Sequence, residues 1–151
     1  MASLLIAVGS VYGGALEVAE LAQQAAQQQG FQVLLSETPR LAELAEADSL
    51  LVVTSTTGSG ERPEGLESFY QALQSQPSAV LGKSFAVVAL GDSSYGDSYC
   101  AAGRAFDELL QSLGSQALIT RLEIDALEHF QATEGAEEWI AAWLQALNEK
   151  G

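Results

Sequence analysis

The sequence predicts an α/β protein, a three-layer sandwich in which a mostly parallel sheet is covered by helices on both faces. Three observations lead there. Short, wholly apolar runs alternate with segments of helical periodicity, and the connections are long enough for right-handed crossovers. Three of the apolar runs also end in Gly/Ser/Thr-rich stretches: GSVYGGA from Gly9 to Ala15, STTGSG from Ser55 to Gly60, and GDSSY from Gly91 to Tyr95. In open α/β sheets such loops lie at the carboxyl ends of the strands and line the crevice where ligands bind.

Residues 3–8 form an apolar run bounded by Gly9, the length of a strand buried on both faces. From residue 14 to 29, Leu16, Ala19, Ala22, Ala25 and Ala26 recur at helical spacing, and Gly30 stops the helix. Residues 31–35 read as a second strand. Pro39 breaks the chain, a short helical turn follows at 41–46, and the apolar run 49–54 is a third strand. After Pro63 a helix passes through Leu66, Phe69, Tyr70 and Leu73; residues 85–90 are a fourth strand; residues 101–113 are a helix closed by Gly114. A fifth strand is expected within 117–124, and a last helix at 137–147 carries Trp139 and Trp143 one turn apart as a core stripe against the sheet.

With 151 residues and 48% apolar composition, one core and a single domain over 1–151 are expected. No apolar run is long enough to span a bilayer and no basic start leads into an apolar stretch, so a cytoplasmic protein is expected. The single cysteine, Cys100, excludes an intramolecular disulfide and a Cys/His metal cluster, so any redox chemistry belongs to a cofactor. Twenty acidic residues against six basic ones give a net charge of −14. That balance disfavours nucleic acid and anionic membranes and suits a partner that is cationic where they touch; it also serves simply to keep a small protein soluble.

The first loop leaves a strand and opens a helix, so its backbone N–H groups suit a phosphate. Gly13 and Gly14 permit close approach and Ser10 adds a hydroxyl; an ordinary tight turn fits the same residues. No Gly-Lys-Ser/Thr end is present, which argues against a P-loop, and the dinucleotide fingerprint is missing too. The second loop carries Ser55, Thr56 and Thr57, then Gly58 and Gly60, where a peptide can rotate between two orientations; a plain polar connection is the simpler reading. In the third, Tyr95 and Tyr99 stand beside Asp92 and Cys100, and an aromatic ring there can shield one face of a flat heteroaromatic ring or pack on its own loop. The sole histidine, His129, lies in another, acidic segment, so Cys100 reads as a structural or backbone-contact residue rather than a nucleophile.

Taken together, the three ordered loops resemble those of the flavodoxins, specifically the short-chain MioC/YqcA type. The run Ala89-Leu90-Gly91-Asp92-Ser93-Ser94-Tyr95, followed by Cys100, Gly103, Phe106 and Asp107, is also similar to the FMN domain of sulfite reductase flavoprotein. The resemblance runs from the first strand to the last helix. It implies a five-stranded parallel sheet of order 2-1-3-4-5 and one non-covalently bound FMN. It places the phosphate in Ser10, Val11, Tyr12, Gly13, Gly14 and Ala15, with Ser55 adding a hydroxyl. The ring then lies between Ser55, Thr56, Thr57, Gly58 and Gly60 on one side and Gly91, Asp92, Tyr95, Tyr99 and Cys100 on the other, with Tyr95 against one face. Three departures stand out: Ala15 replaces a phosphate-binding hydroxyl, Thr57 replaces Trp or Tyr, and Tyr95 is one residue farther from Cys100 than in the sulfite reductase pattern. They point to weaker FMN binding and a more open ring face.

The expected function is one-electron transfer by FMN, in a monomer that shuttles between a flavodoxin/ferredoxin NADP reductase and an acceptor enzyme, both basic where they dock. Glu61, Glu64, Glu67 and Asp97 are candidate docking charges. The alternative is an FMN-dependent NAD(P)H:quinone reductase. A receiver-type signalling domain needs an acceptor Asp after the third strand, where this chain has Thr54-Ser55-Thr56.

Overall fold

The computed structural model describes residues 3–9, 14–55, 64–91, 100–125 and 132–150. Along the chain these form β1 (Ser3–Gly9), α1 (Gly14–Gln28), β2 (Gln32–Ser36), α2 (Leu41–Ala45), β3 (Ser49–Thr54), α3 (Glu64–Ser75), β4 (Ser84–Gly91), α4 (Ala101–Ser112), β5 (Gln116–Ala117), β6 (Leu122–Asp125) and α5 (Glu137–Lys150). Every strand pairing is parallel, in the order β2-β1-β3-β4-β5, with β6 also on β4. The expected 2-1-3-4-5 sheet is therefore present.

The wholly apolar strands are explained by two cores on one sheet. Leu4, Ile6 and Val8 of β1, with Leu51, Val53, Ala86 and Val88, face α1 and α5. The alternate residues Leu5, Ala7, Leu50, Val52, Phe85 and Val87 face α3 and α4 through Leu66, Phe69, Leu73, Phe106 and Leu110. Side chains alternate along a strand, so a strand covered on both sides must be apolar at every position. The buried face of α1 is Ala15, Val18, Ala19, Ala22 and Ala26, small enough to bring that helix close to the sheet.

Most boundaries shift by one to three residues from the sequence expectation, and hydrogen bonds explain two of the differences. Residue 31 was expected to open β2, but the Phe31 N–H is used to close α1, donating to the Ala26 carbonyl at 3.2 Å, while Gly30, at φ 92°, donates to Gln27 at 3.0 Å. This is the Schellman closure that a glycine allows. The fifth strand is split. Phe85 is in register with Ala117 and Val88 with Leu122, so Ala86 and Val87 of β4 face the four residues 118–121. There the edge bulges: the Trp139 indole N–H donates to the Thr120 carbonyl at 2.9 Å, and Arg121 turns toward α4. Trp143 is fully buried, whereas Trp139, stacked on it at 6.3 Å and 8°, is only partly buried and serves this bulge. No described helix is long and apolar enough to cross a membrane.

Candidate functional site

At the carboxyl edge β1 and β3 end in register, and β4 runs two residues further, to Gly91. Gly9 is in register with Thr54, and Thr54 with Ala89. The Ser55 N–H then donates to the Gly9 carbonyl at 2.8 Å, carrying the β1–β3 pairing to the start of the second loop. Thr54 is fully buried and its hydroxyl donates to the Ser55 carbonyl at 2.8 Å, which fixes the peptide from which that loop departs.

Of the residues expected to hold the ligand, five are described. Gly14 is the first residue of α1 and is half-buried; Ala15 is fully buried against the α1/α5 core. Ser55 is half-buried beside Gly9, and Gly91 ends β4. Cys100 is fully buried before α4 in the left-handed region, φ 55° and ψ 21°, with its thiol 3.5 Å from the Ala89 carbonyl. That contact agrees with a structural role, and burial removes the exposure a reactive thiol needs. Ser10, Val11, Tyr12, Gly13, Thr56, Thr57, Gly58, Gly60, Asp92, Tyr95 and Tyr99 lie outside the described residues.

The described groups bring Gly14, Ser55 and Gly91 to one sheet edge, where β1 and β3 end in register and β4 ends two residues beyond them. The first-turn amides of α1 have no partners within the helix and carry the positive end of its dipole. The acidic residue of that turn, Glu17, is exposed, so its carboxylate is turned to solvent. Amide donors at a helix start and a neighbouring hydroxyl make a donor set suited to a phosphate without a lysine or arginine. Because Ala15 is packed into the core, its side chain contributes nothing; only its backbone can.

An ion-pair network beside this edge was not anticipated. Arg104 of α4 grips Glu123 of β6 with both ends of its fork, at 2.7 Å and 3.0 Å. Arg121 donates to Glu123 at 2.9 Å and pairs with Asp107, itself 6% exposed. The sign pattern is geometric: α4 runs down from the edge with Arg104 above Asp107, and the chain climbs into β6 with Arg121 below Glu123, so opposite charges meet across the gap. Hydrogen bonding from Arg104, reinforced by Arg121 against the cost of burial, holds the Glu123 carboxyl below its usual range. The signal was in the sequence as charges at 104 and 107, one helical turn apart, and at 121 and 123, on one face of a strand.

Comparison with known proteins agrees with this architecture. A family model described as Flavodoxin matches residues 6–140. Flavodoxin YqcA of Pectobacterium carotovorum is 39% identical over 145 residues, covering 95% of each chain. The sulfite reductase [NADPH] flavoprotein alpha-component of Bacillus subtilis is 37% identical over 95% of this chain, which corresponds to 23% of that protein. Among solved structures, a cysteine-to-alanine variant of flavodoxin from Pseudomonas aeruginosa superposes with a TM-score of 0.90 at 38% identity, covering 97% of this chain and 99% of that one.

Proposed function

This chain belongs to the flavodoxin family, whose members are FMN-binding electron carriers, and from that premise we propose that it shuttles single electrons from a reductase to an acceptor enzyme. The observation that carries the reading is the shared carboxyl edge of β1, β3 and β4, where Gly9, Thr54 and Ala89 are in register and β4 runs on only to Gly91, so that all three candidate loops depart from it. FMN supplies the redox chemistry when bound; the protein binds it, orients it and sets how readily it takes each electron.

In this reading the amides of residues 10–15, at the start of α1, and the Ser55 hydroxyl hold the phosphate. Residues 55–60 flank one side of the ring and Gly91, Asp92, Tyr95, Tyr99 and Cys100 the other, with Tyr95 excluding water from one face. The buried thiol of Cys100 stays out of the chemistry and ties the end of the third loop to β4.

Docking follows from charge. Helices in this sheet run back from the carboxyl edge, so Glu17 in the first turn of α1 and Glu137 and Glu138 in that of α5 stand near that edge, all exposed. They stabilise the helix starts and add to the candidate docking charges that the sequence sets close to the loops, Glu61, Glu64, Glu67 and Asp97. A monomer meeting a cationic patch through this rim associates quickly and is screened by salt. The test is the rate of electron transfer from a flavodoxin/ferredoxin NADP reductase to the FMN-loaded protein at increasing ionic strength. A steep fall is expected; a flat profile removes acidic docking, and oxidation of NADPH by the loaded protein with no reductase present favours an intrinsic reductase instead.

A further inference from the structure

Three observations converge on Ala89. Its carbonyl is 3.5 Å from the Cys100 thiol. It is the register partner of Glu123, the residue that Arg104 holds. A Cβ built on Gly103 would overlap the Ala89 methyl and lie 2.9 Å from its Cα. The chain leaves β4 at Gly91, two residues beyond Ala89, and is back against Ala89 at Cys100 and Gly103. The far end of the third loop is thus held against the strand from which the loop departs, two residues before its start.

We propose that Gly103 and the Arg104–Glu123 pair form a clasp at Ala89 that sets where the third loop ends, making them positioning residues for FMN. The proposal rests on the reading that this loop borders the flavin. None of the three touches the cofactor in this account. Gly103 lets the first turn of α4 lie directly on β4, since any larger side chain meets strand backbone as well as a methyl. Arg104, the next residue, then reaches the edge strand and locks the helix against sliding along β4. Cys100 sits in the left-handed region between loop and helix, a conformation costly for a residue with a Cβ, and it persists because its surroundings fix both sides. Displacing the end of a loop displaces the residues before it, and a shift on the order of 1 Å is enough to spoil a binding geometry.

The experiment compares the wild type, Gly103→Ala, Ala89→Gly/Gly103→Ala, Glu123→Gln and Tyr95→Ala. For each it reads the FMN dissociation constant, the two midpoint potentials of bound FMN and the melting temperature of the apoprotein. Gly103→Ala is expected to weaken FMN binding about tenfold and to move the potentials, with the double variant recovering part of the affinity because the overlapping methyl is gone while the close approach to the strand Cα remains. Glu123→Gln, nearly the same shape, is expected to weaken binding about threefold and to move the potentials in the same direction. A purely structural role lowers the melting temperature but leaves the potentials where they were, because it acts on every redox state alike. Should Gly103→Ala fail to fold, Glu123→Gln decides. Unchanged affinity and potentials in the clasp variants, with Tyr95→Ala still weakening FMN, overturn the clasp alone. Unchanged affinity in Tyr95→Ala as well means the loop does not border the flavin, and the reading beneath the proposal falls with it.

Discussion

Glu123 accepts hydrogen bonds from two arginines while only 24% of its side chain is exposed, so its ionisation is bound up with the folded state. The carboxyl is held below its usual range, chiefly by hydrogen bonding from Arg104. A depressed carboxyl contributes stability that is fully present above the unfolded value, about 4.3, and is lost as pH falls through the folded one. Glu123→Gln should therefore cost about 1–2 kcal/mol in apoprotein stability at pH 7. In thermal melts the gap between wild type and variant should narrow below about pH 4. A gap that stays constant down to acid, or no gap at neutrality, would show that the network does not stabilise the fold. The network was legible only as scattered charges: spacing puts Arg104 and Asp107 on one helix face, but nothing in the sequence says that β6 will lie opposite them.

Among the elements, the central strands were readable because both their faces are buried, which forces unbroken apolar runs at 3–8, 49–54 and 85–90. The edge was not. With a neighbour on one side only, the last strand tolerates the break at 118–121, and the hydrogen bond that stabilises it comes from Trp139, distant in sequence. Helix starts hide a similar dependence on packing. A Cβ on Gly65, the second residue of α3, would overlap the carbonyl oxygen of Glu37, just beyond β2. Gly65→Ala should destabilise the protein by about 1–3 kcal/mol in urea unfolding, even though alanine is the better helix former by about 1 kcal/mol. Increased stability would mean that α3 can shift away from Glu37 at little cost.

At the scale of the whole molecule, the architecture gathers helix starts, acidic first turns and the strand ends from which the glycine-rich stretches depart at one edge of the sheet. The order of three loop motifs along the chain made both the fold and the edge legible from sequence. The fine geometry of the ligand site was less so, because loops that hold a cofactor through backbone groups leave little signature in side-chain chemistry. Ala15 illustrates this: it looked like a lost phosphate ligand and is a core residue. The central claim is that this edge binds FMN and that the protein separates its two one-electron steps. The most direct test is an anaerobic reductive titration of the protein saturated with FMN, followed by visible absorbance. Uptake of about one FMN per chain and reduction in two resolved one-electron stages is the expected result. Failure to take up FMN, or reduction in a single two-electron stage, would contradict the account.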